Sequence, residues 1–281
     1  MVSMSRDLLG AGVRIRVTER GIASNPAILL LHDLFLDSRT WDAVAEELSS
    51  DFYVVTPDLP GFGDSEKPSP RRYPYGVDAF AETLVDLYSG LGLTRASIVG
   101  HGLGGAVGIT LGSRHPELVT RLVLVDTVCS LPPLGKAQRM MLLPFLGGFV
   151  IKQVLGARAY QQFFSDYLVS SRANIPQSRI NAFFKPLGVP AGRSSLLATL
   201  RATVDVRPVA AHKARLSLPT LVVWGRDDRL QNAAIGQQIA RTIHGARFEV
   251  LDSGHSPQEE CPSQLVAVVR RFLRDDRSSR F

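Results

Sequence analysis

The run Ser-Ile-Val-Gly-His-Gly-Leu-Gly-Gly at 97–105 reads as an apolar strand that turns sharply into a helix of small residues. In the strand–turn–helix pattern G-x-S-x-G, a serine sits on a strained elbow where a neighbouring base can activate its hydroxyl. Here Gly100-x-Gly102-x-Gly104 keeps that spacing, and glycine stands in the nucleophile's place. The same stretch also spells G-x-G-x-x-G (Gly100, Gly102, Gly105), with Asp126 closing the next apolar run. That imitates a dinucleotide fingerprint, in which glycines admit a phosphate and an acid holds a ribose hydroxyl. The fingerprint normally opens its domain, whereas this run lies well inside the chain, so a nucleotide site is the weaker reading. The six histidines are scattered and none has metal-ligand spacing with a carboxylate pair. Neither a metal nor a cofactor is expected.

The elements that must position this elbow alternate along the chain. Val13–Thr18 alternates as a half-exposed strand, and Ala27–Leu31 is a short apolar run suited to a buried parallel strand. Thr40–Leu48 predicts a helix, Phe52–Thr56 a strand, Asp78–Leu91 a helix with Phe80, Leu84, Leu87 and Leu91 on one face, and Ala96–Val99 a strand. Leu103–Leu111 predicts a helix; Leu122–Val125, Thr220–Trp224 and Phe248–Leu251 predict strands, and Ser263–Arg274 the last helix. This is an α/β fold, a mostly parallel sheet covered by helices on both faces. Residues 129–216 break the alternation with short, proline-punctuated helical stretches, as expected for a helical cap inserted after the sixth strand. The expected divisions are therefore 1–128 and 217–281 for the two parts of the core, and 129–216 for the cap.

Charge follows the same boundary. The chain carries +6 overall, but residues 136–215 hold twelve Lys and Arg against only Asp166 and Asp205. The asymmetry marks either a solvated basic face or a site for an anionic partner: a small-molecule ligand, an acidic protein or a membrane surface at the basic cap. The apolar run Met140–Ile151 suits a substrate-facing wall, and it is too short to span a bilayer. Few aromatics interleave with the charges, which argues against nucleic acid. Cys129 and Cys261 lie far apart and outside any reactive motif, as expected for buried thiols in a reducing cytoplasm. The first residues lack a basic start followed by an apolar stretch, so no signal peptide is read.

Four blocks together resemble the α/β-hydrolase superfamily, in particular its capped members: Leu30-Leu31-His32-Asp33, Asp58-Leu59-Pro60-Gly61-Phe62-Gly63-Asp64-Ser65, the elbow at 100–105, and Trp224-Gly225-Arg226-Asp227-Asp228 paired with Gly254-His255-Ser256. The resemblance implies that Asp228 is the acid that orients His255, with Asp227 as its near rival, and that His255 is the general base. It implies that the backbone N–H groups of Leu34 and Leu103 form the oxyanion hole. His32 and Asp33 would shape that hole from outside, and His101 would face the interior. Gly102 leaves the nucleophile position vacant. Asp33 is a second departure, because the family usually has glycine there, and a carboxylate would oppose a developing oxyanion unless it pointed away.

These residues imply a relative of ester or carbon–carbon bond hydrolases with a degenerate triad, in which serine-dependent hydrolysis is not expected. Two alternatives stand beside that reading. In one, the Asp228–His255 dyad is a general base on water or on an acidic C–H. In the other, the old pocket binds a ligand or partner without catalysis.

Overall fold

The computed structural model describes residues 3–127 and 156–275. Eight strands form one sheet in the order β1-β2-β4-β3-β5-β6-β7-β8. These are β1 (Met4–Gly10), β2 (Val13–Arg20), β3 (Ala27–Leu31), β4 (Tyr53–Pro57), β5 (Ala96–His101), β6 (Val119–Val125), β7 (Thr220–Gly225) and β8 (Arg247–Leu251). β1 and β2 pair antiparallel, as do β2 and β4. Every pairing from β4 through β3, β5, β6 and β7 to β8 is parallel. Such a sheet needs helices on both faces, and its central strands are mostly apolar.

Successive residues of β3 feed opposite cores, as the pleat requires. Leu29 and Leu31 join Phe80, Leu84 and Val107 on one face. Ile28 and Leu30 join Trp41, Val44, Val266 and Val269 on the other. The helices that supply these residues are α1 (Asp42–Leu48), α2 (Val77–Leu91), α3 (Leu103–Arg114) and α10 (Pro262–Leu273). The expected helix over Thr40–Leu48 begins as a separate 3-10 turn, Ser38–Trp41, because the Asp37 carboxylate caps the Arg39 N–H.

Among the elements that escaped the sequence reading are an edge strand and an outer helix. β1 has no apolar alternation and is mostly exposed. It exists because Ala11 and Gly12, both at positive φ, close a two-residue hairpin onto β2. The helix Ala233–Thr242, α8, buries only Gly236, Ile239 and Ala240. Its start was marked by Asn232, whose side chain accepts the Ala234 N–H.

Between β6 and β7 the described elements are helical: α4 (Ala157–Phe163, continuing as a wider turn to Leu168), α5 (Gln177–Gly188), α6 (Pro190–Thr203) and α7 (Arg207–Lys213). The expected start of this segment at 129, Cys129 and the run Met140–Ile151 lie outside the described residues. The helices are tied to loops that follow the carboxyl ends of the strands. The Tyr160 hydroxyl donates to the Phe35 carbonyl at 2.7 Å, and the Tyr75 and Ser195 hydroxyls meet at 2.7 Å. Arg179 is the main clamp. It reaches Asp42 at 3.2 Å, Glu259 at 2.9 Å and the Arg39 carbonyl, and its guanidinium lies 4.9 Å from the Phe183 ring centre. Several of the basic residues counted above are thus engaged with the core; Arg172 pairs with Asp227 in the same way. No helix among the described residues is long and apolar enough to cross a membrane.

Burial raises the Glu259 carboxyl pKa, and Arg179 opposes that rise. Arg179→Ala therefore strands a nearly buried acid and should lower stability by roughly 3 kcal/mol. The paired change Arg179→Met with Glu259→Gln should lose less, as urea unfolding midpoints of the two variants will show.

Candidate active site

The site is built where β3, β5, β7 and β8 end. After β3, the His32 ring is buried and fixed from both sides. Its Nε2 accepts the Leu59 N–H at 3.0 Å, so the ring proton sits on Nδ1 and donates to the Asp33 carbonyl at 2.8 Å. That bond sets the backbone of the following turn and aims the Asp33 side chain toward the elbow.

At the elbow, Gly102 has φ 50° and ψ −110°, and its N–H donates to the Val125 carbonyl at 3.0 Å. A Cβ on Gly102 would overlap Asp33 Oδ1 and Cγ. Asp33 Oδ1 instead accepts the Leu103 N–H at 2.6 Å. The space a serine side chain would need is filled by the carboxylate of Asp33, which also occupies the N–H that follows the elbow. The sequence reading sets Asp33 outside the turn; the structure brings its carboxylate onto the Leu103 N–H. It does not point away, because the His32 bond and the Leu103 N–H hold both ends of the residue.

His255 lies in the loop after β8. Its Nδ1 is 2.8 Å from Asp228 Oδ2 and its Nε2 is 3.4 Å from Asp33 Oδ2. Asp228 Oδ1 accepts two backbone N–H groups, from Leu230 at 2.8 Å and Gln231 at 3.0 Å. Asp227, its rival in sequence, points outward to Arg172. The imidazole thus sits between two carboxylates, all three groups buried. Burial acts to lower the His255 pKa, but the charge and hydrogen bond of Asp228, joined by Asp33, raise it well above the ordinary value. Burial acts to raise Asp33, but the His255 hydrogen bond, neighbouring histidine charge and the Leu103 N–H bring it below the usual carboxylate range. Both directions favour a charge pair between His255 and Asp33.

His101 completes the floor. Its Nδ1 accepts from Gln258 Nε2 at 3.0 Å, and its Nε2 proton goes to the His255 carbonyl at 2.6 Å. That pattern needs a neutral ring, in agreement with burial, which pushes its pKa down to about 4. Gln258 also donates to Thr40 Oγ1 at 3.1 Å. Glu260 accepts the Gly254 N–H at 2.8 Å and the Ser170 N–H at 3.0 Å, joining the His255 loop to the inserted helices. The sequence reading missed Gln258 and Glu260. Pro257 at a first helical position was the available sign that these side chains would be directed by a short helix, α9 (Pro257–Glu260).

Residues 28–268 match the model of the alpha/beta hydrolase family. The chain belongs to that family. An uncharacterized protein of Mycobacterium tuberculosis is 30% identical over 274 residues, covering 89% of this chain and 76% of the relative. Epoxide hydrolase 3 of Xenopus tropicalis is 27% identical over 286 residues, covering 95% and 76%. The crystal structure of a hydrolase from Pseudomonas aeruginosa superposes with a TM-score of 0.82 at 27% identity, covering 96% of this chain and 98% of that one.

Two outcomes follow from this geometry. Above about pH 6.5 a histidine in the unfolded chain releases its proton while native His255 retains it. The native state then binds more protons, so stability should fall with rising pH by up to about 1.4 kcal/mol per unit until the native imidazolium titrates. In Asp33→Asn the fall should end at a lower pH, because one of the two carboxylates that raise His255 is gone, measured by chemical unfolding across that range. Gly102→Ser should lose stability by about 1–3 kcal/mol through overpacking against Asp33 and show no hydrolysis of short acyl esters. Asp33→Gly added to Gly102→Ser should recover the stability, measured by thermal unfolding.

Proposed function

We propose that this protein is a serine-independent hydrolase in which the Asp33 carboxylate is the nucleophile. The observation that carries this reading is the position of Asp33: one oxygen on the Leu103 N–H, the other toward His255, in the space a side chain at 102 would take. The general-base alternative fits less well, since His255 Nε2 already faces Asp33 Oδ2 at 3.4 Å, in the direction an activated water would have to occupy.

The resting charges suit a carboxylate cycle. The 3.4 Å contact to His255 is long for a hydrogen bond, which leaves Asp33 Oδ2 the less committed oxygen. Oδ2 attacks an electrophilic saturated carbon, and the bond from that carbon to its leaving oxygen or halide breaks. A leaving alkoxide takes the Nε2 proton of His255; a halide leaves as the anion, and the proton goes to solvent. The product is an ester on Asp33 beside a neutral histidine. His255, oriented by Asp228, then takes a proton from water as the hydroxide oxygen adds to Asp33 Cγ. The Leu103 N–H, already on Oδ1, faces the oxygen where negative charge develops. Collapse expels the alcohol oxygen, which takes the carboxyl proton, and Asp33 carboxylate and His255 imidazolium are restored.

Two relatives lend the substrate class. One is the epoxide hydrolase named above. The other is a fluoroacetate dehalogenase of Burkholderia, 26% identical over 271 residues. The second reading, a closed site that binds without catalysis, is favoured by the near-complete burial of Asp33 and His255.

Turnover of short epoxides and haloacetates in H2 18O decides between them. The nucleophile reading expects heavy oxygen in the peptide carrying Asp33, detected by mass spectrometry, and at least about a thousandfold loss of activity in Asp33→Asn, on the scale seen for removal of key reacting groups. Single-turnover label found only in the product would contradict it. No turnover of any member of the panel would favour the closed site.

A further inference from the structure

Asp126 is buried at the end of β6 and has no part in the cycle above. Its backbone is held in the left-handed region, at φ 42°, which a non-glycine residue adopts only when its surroundings enforce it. Those surroundings are specific. The Asp126 N–H donates to the Val223 carbonyl at 3.0 Å, and Oδ1 accepts the Gly225 N–H at 2.9 Å. Residue 225 must be glycine, since a Cβ there would overlap the Gly254 carbonyl. Oδ2 is buried, and no N–H or O–H of the described residues reaches it. One side-chain atom each of Asp126, Asp228 and His255 lie within 4.8 Å of one another.

The hydrogen-bond inventory is one proton short. A carboxylate has about four acceptor directions. Asp228 uses three of them, for Leu230 N–H, Gln231 N–H and His255 Nδ1. Asp126 Oδ2 has no donor among the described residues, and an ionised oxygen without one is costly in a dry interior. A single hydrogen on Asp126 Oδ2, directed to Asp228, fills both gaps.

We propose that Asp126 is a positioning residue that stays protonated and donates its carboxyl hydrogen to Asp228, so that the two acids form a hydrogen-bonded pair behind His255. The groups facing Asp126 agree with this. Burial and the Asp228 charge push its pKa well up, against the opposing effect of His255, while Cys261, also in its field, has its own thiol raised by burial to about 11. The pair keeps the charge behind the imidazole at one, where two ionised acids would set two. It also locks the Asp228 oxygen that His255 needs. The inference concerns the acid side of the site and holds whichever group is the nucleophile.

The test uses the full chain with 13C at the aspartate γ-carboxyls and 15N in histidine, read by NMR near neutral pH. One buried aspartate should carry the chemical shift of a protonated carboxyl. That signal should vanish in Asp126→Asn and persist in Asp33→Asn. The low-field Nδ1 proton of His255 should be kept in Asp126→Asn, whose amide still donates, and be broadened or shifted in Asp126→Ala. A wild-type spectrum with every aspartate ionised would overturn the proposal, even if the variants fail to fold. So would persistence of the protonated signal in Asp126→Asn, or a His255 Nδ1 proton unchanged in Asp126→Ala.

Discussion

The Leu103 N–H to Asp33 Oδ1 bond is the constraint on which the site depends. It ties the loop after β3 to the first turn of α3 across the carboxyl edge of the sheet. Once the carboxylate is there, no side chain fits at position 102, and the glycine is required by contact as much as by its φ of 50°. The same carboxylate, together with Asp228, gives His255 its proton. The absent serine, the departure at Asp33 and the charged histidine are therefore one arrangement.

The surrounding structure keeps that arrangement in place with neutral groups. His32 holds the Asp33 backbone through a tautomer fixed by Leu59, and His101 holds the His255 carbonyl through a tautomer fixed by Gln258. Both are buried rings whose two nitrogens are fully used. Glu260 carries the restraint outward, joining the His255 loop to Ser170. The His32 and His101 supports beside the centre are neutral by their hydrogen-bond patterns, which limits the number of charges buried together.

Much of this was legible in the chain because the central strands are short apolar runs between turn residues. Ala27–Leu31 and the elbow strand fall where the periodicity puts them. β1 was illegible for the opposite reason: an exposed edge strand needs no apolar alternation, and its evidence is a two-residue turn at Ala11 and Gly12. At the site, the residue types were readable and their directions were not. Asp33 stood in sequence as a side chain that ought to avoid an oxyanion. Nothing local indicates that it turns inward, because the Leu103 N–H that holds its carboxylate lies far along the chain, and the neighbouring His32 ring that holds its carbonyl is itself fixed from Leu59. Asp126 was visible only as the acid of an imitation nucleotide motif, and its partner, Asp228, lies on another strand's loop.

A neutron structure at neutral pH tests the central claim most directly, since it locates the hydrogens on which the charge assignment rests. The account predicts deuterium on both nitrogens of His255, none on Asp33, and the Leu103 N–D directed at Asp33 Oδ1. A neutral His255 ring, or an Asp33 carboxylate swung away to leave open space above Gly102, would contradict it.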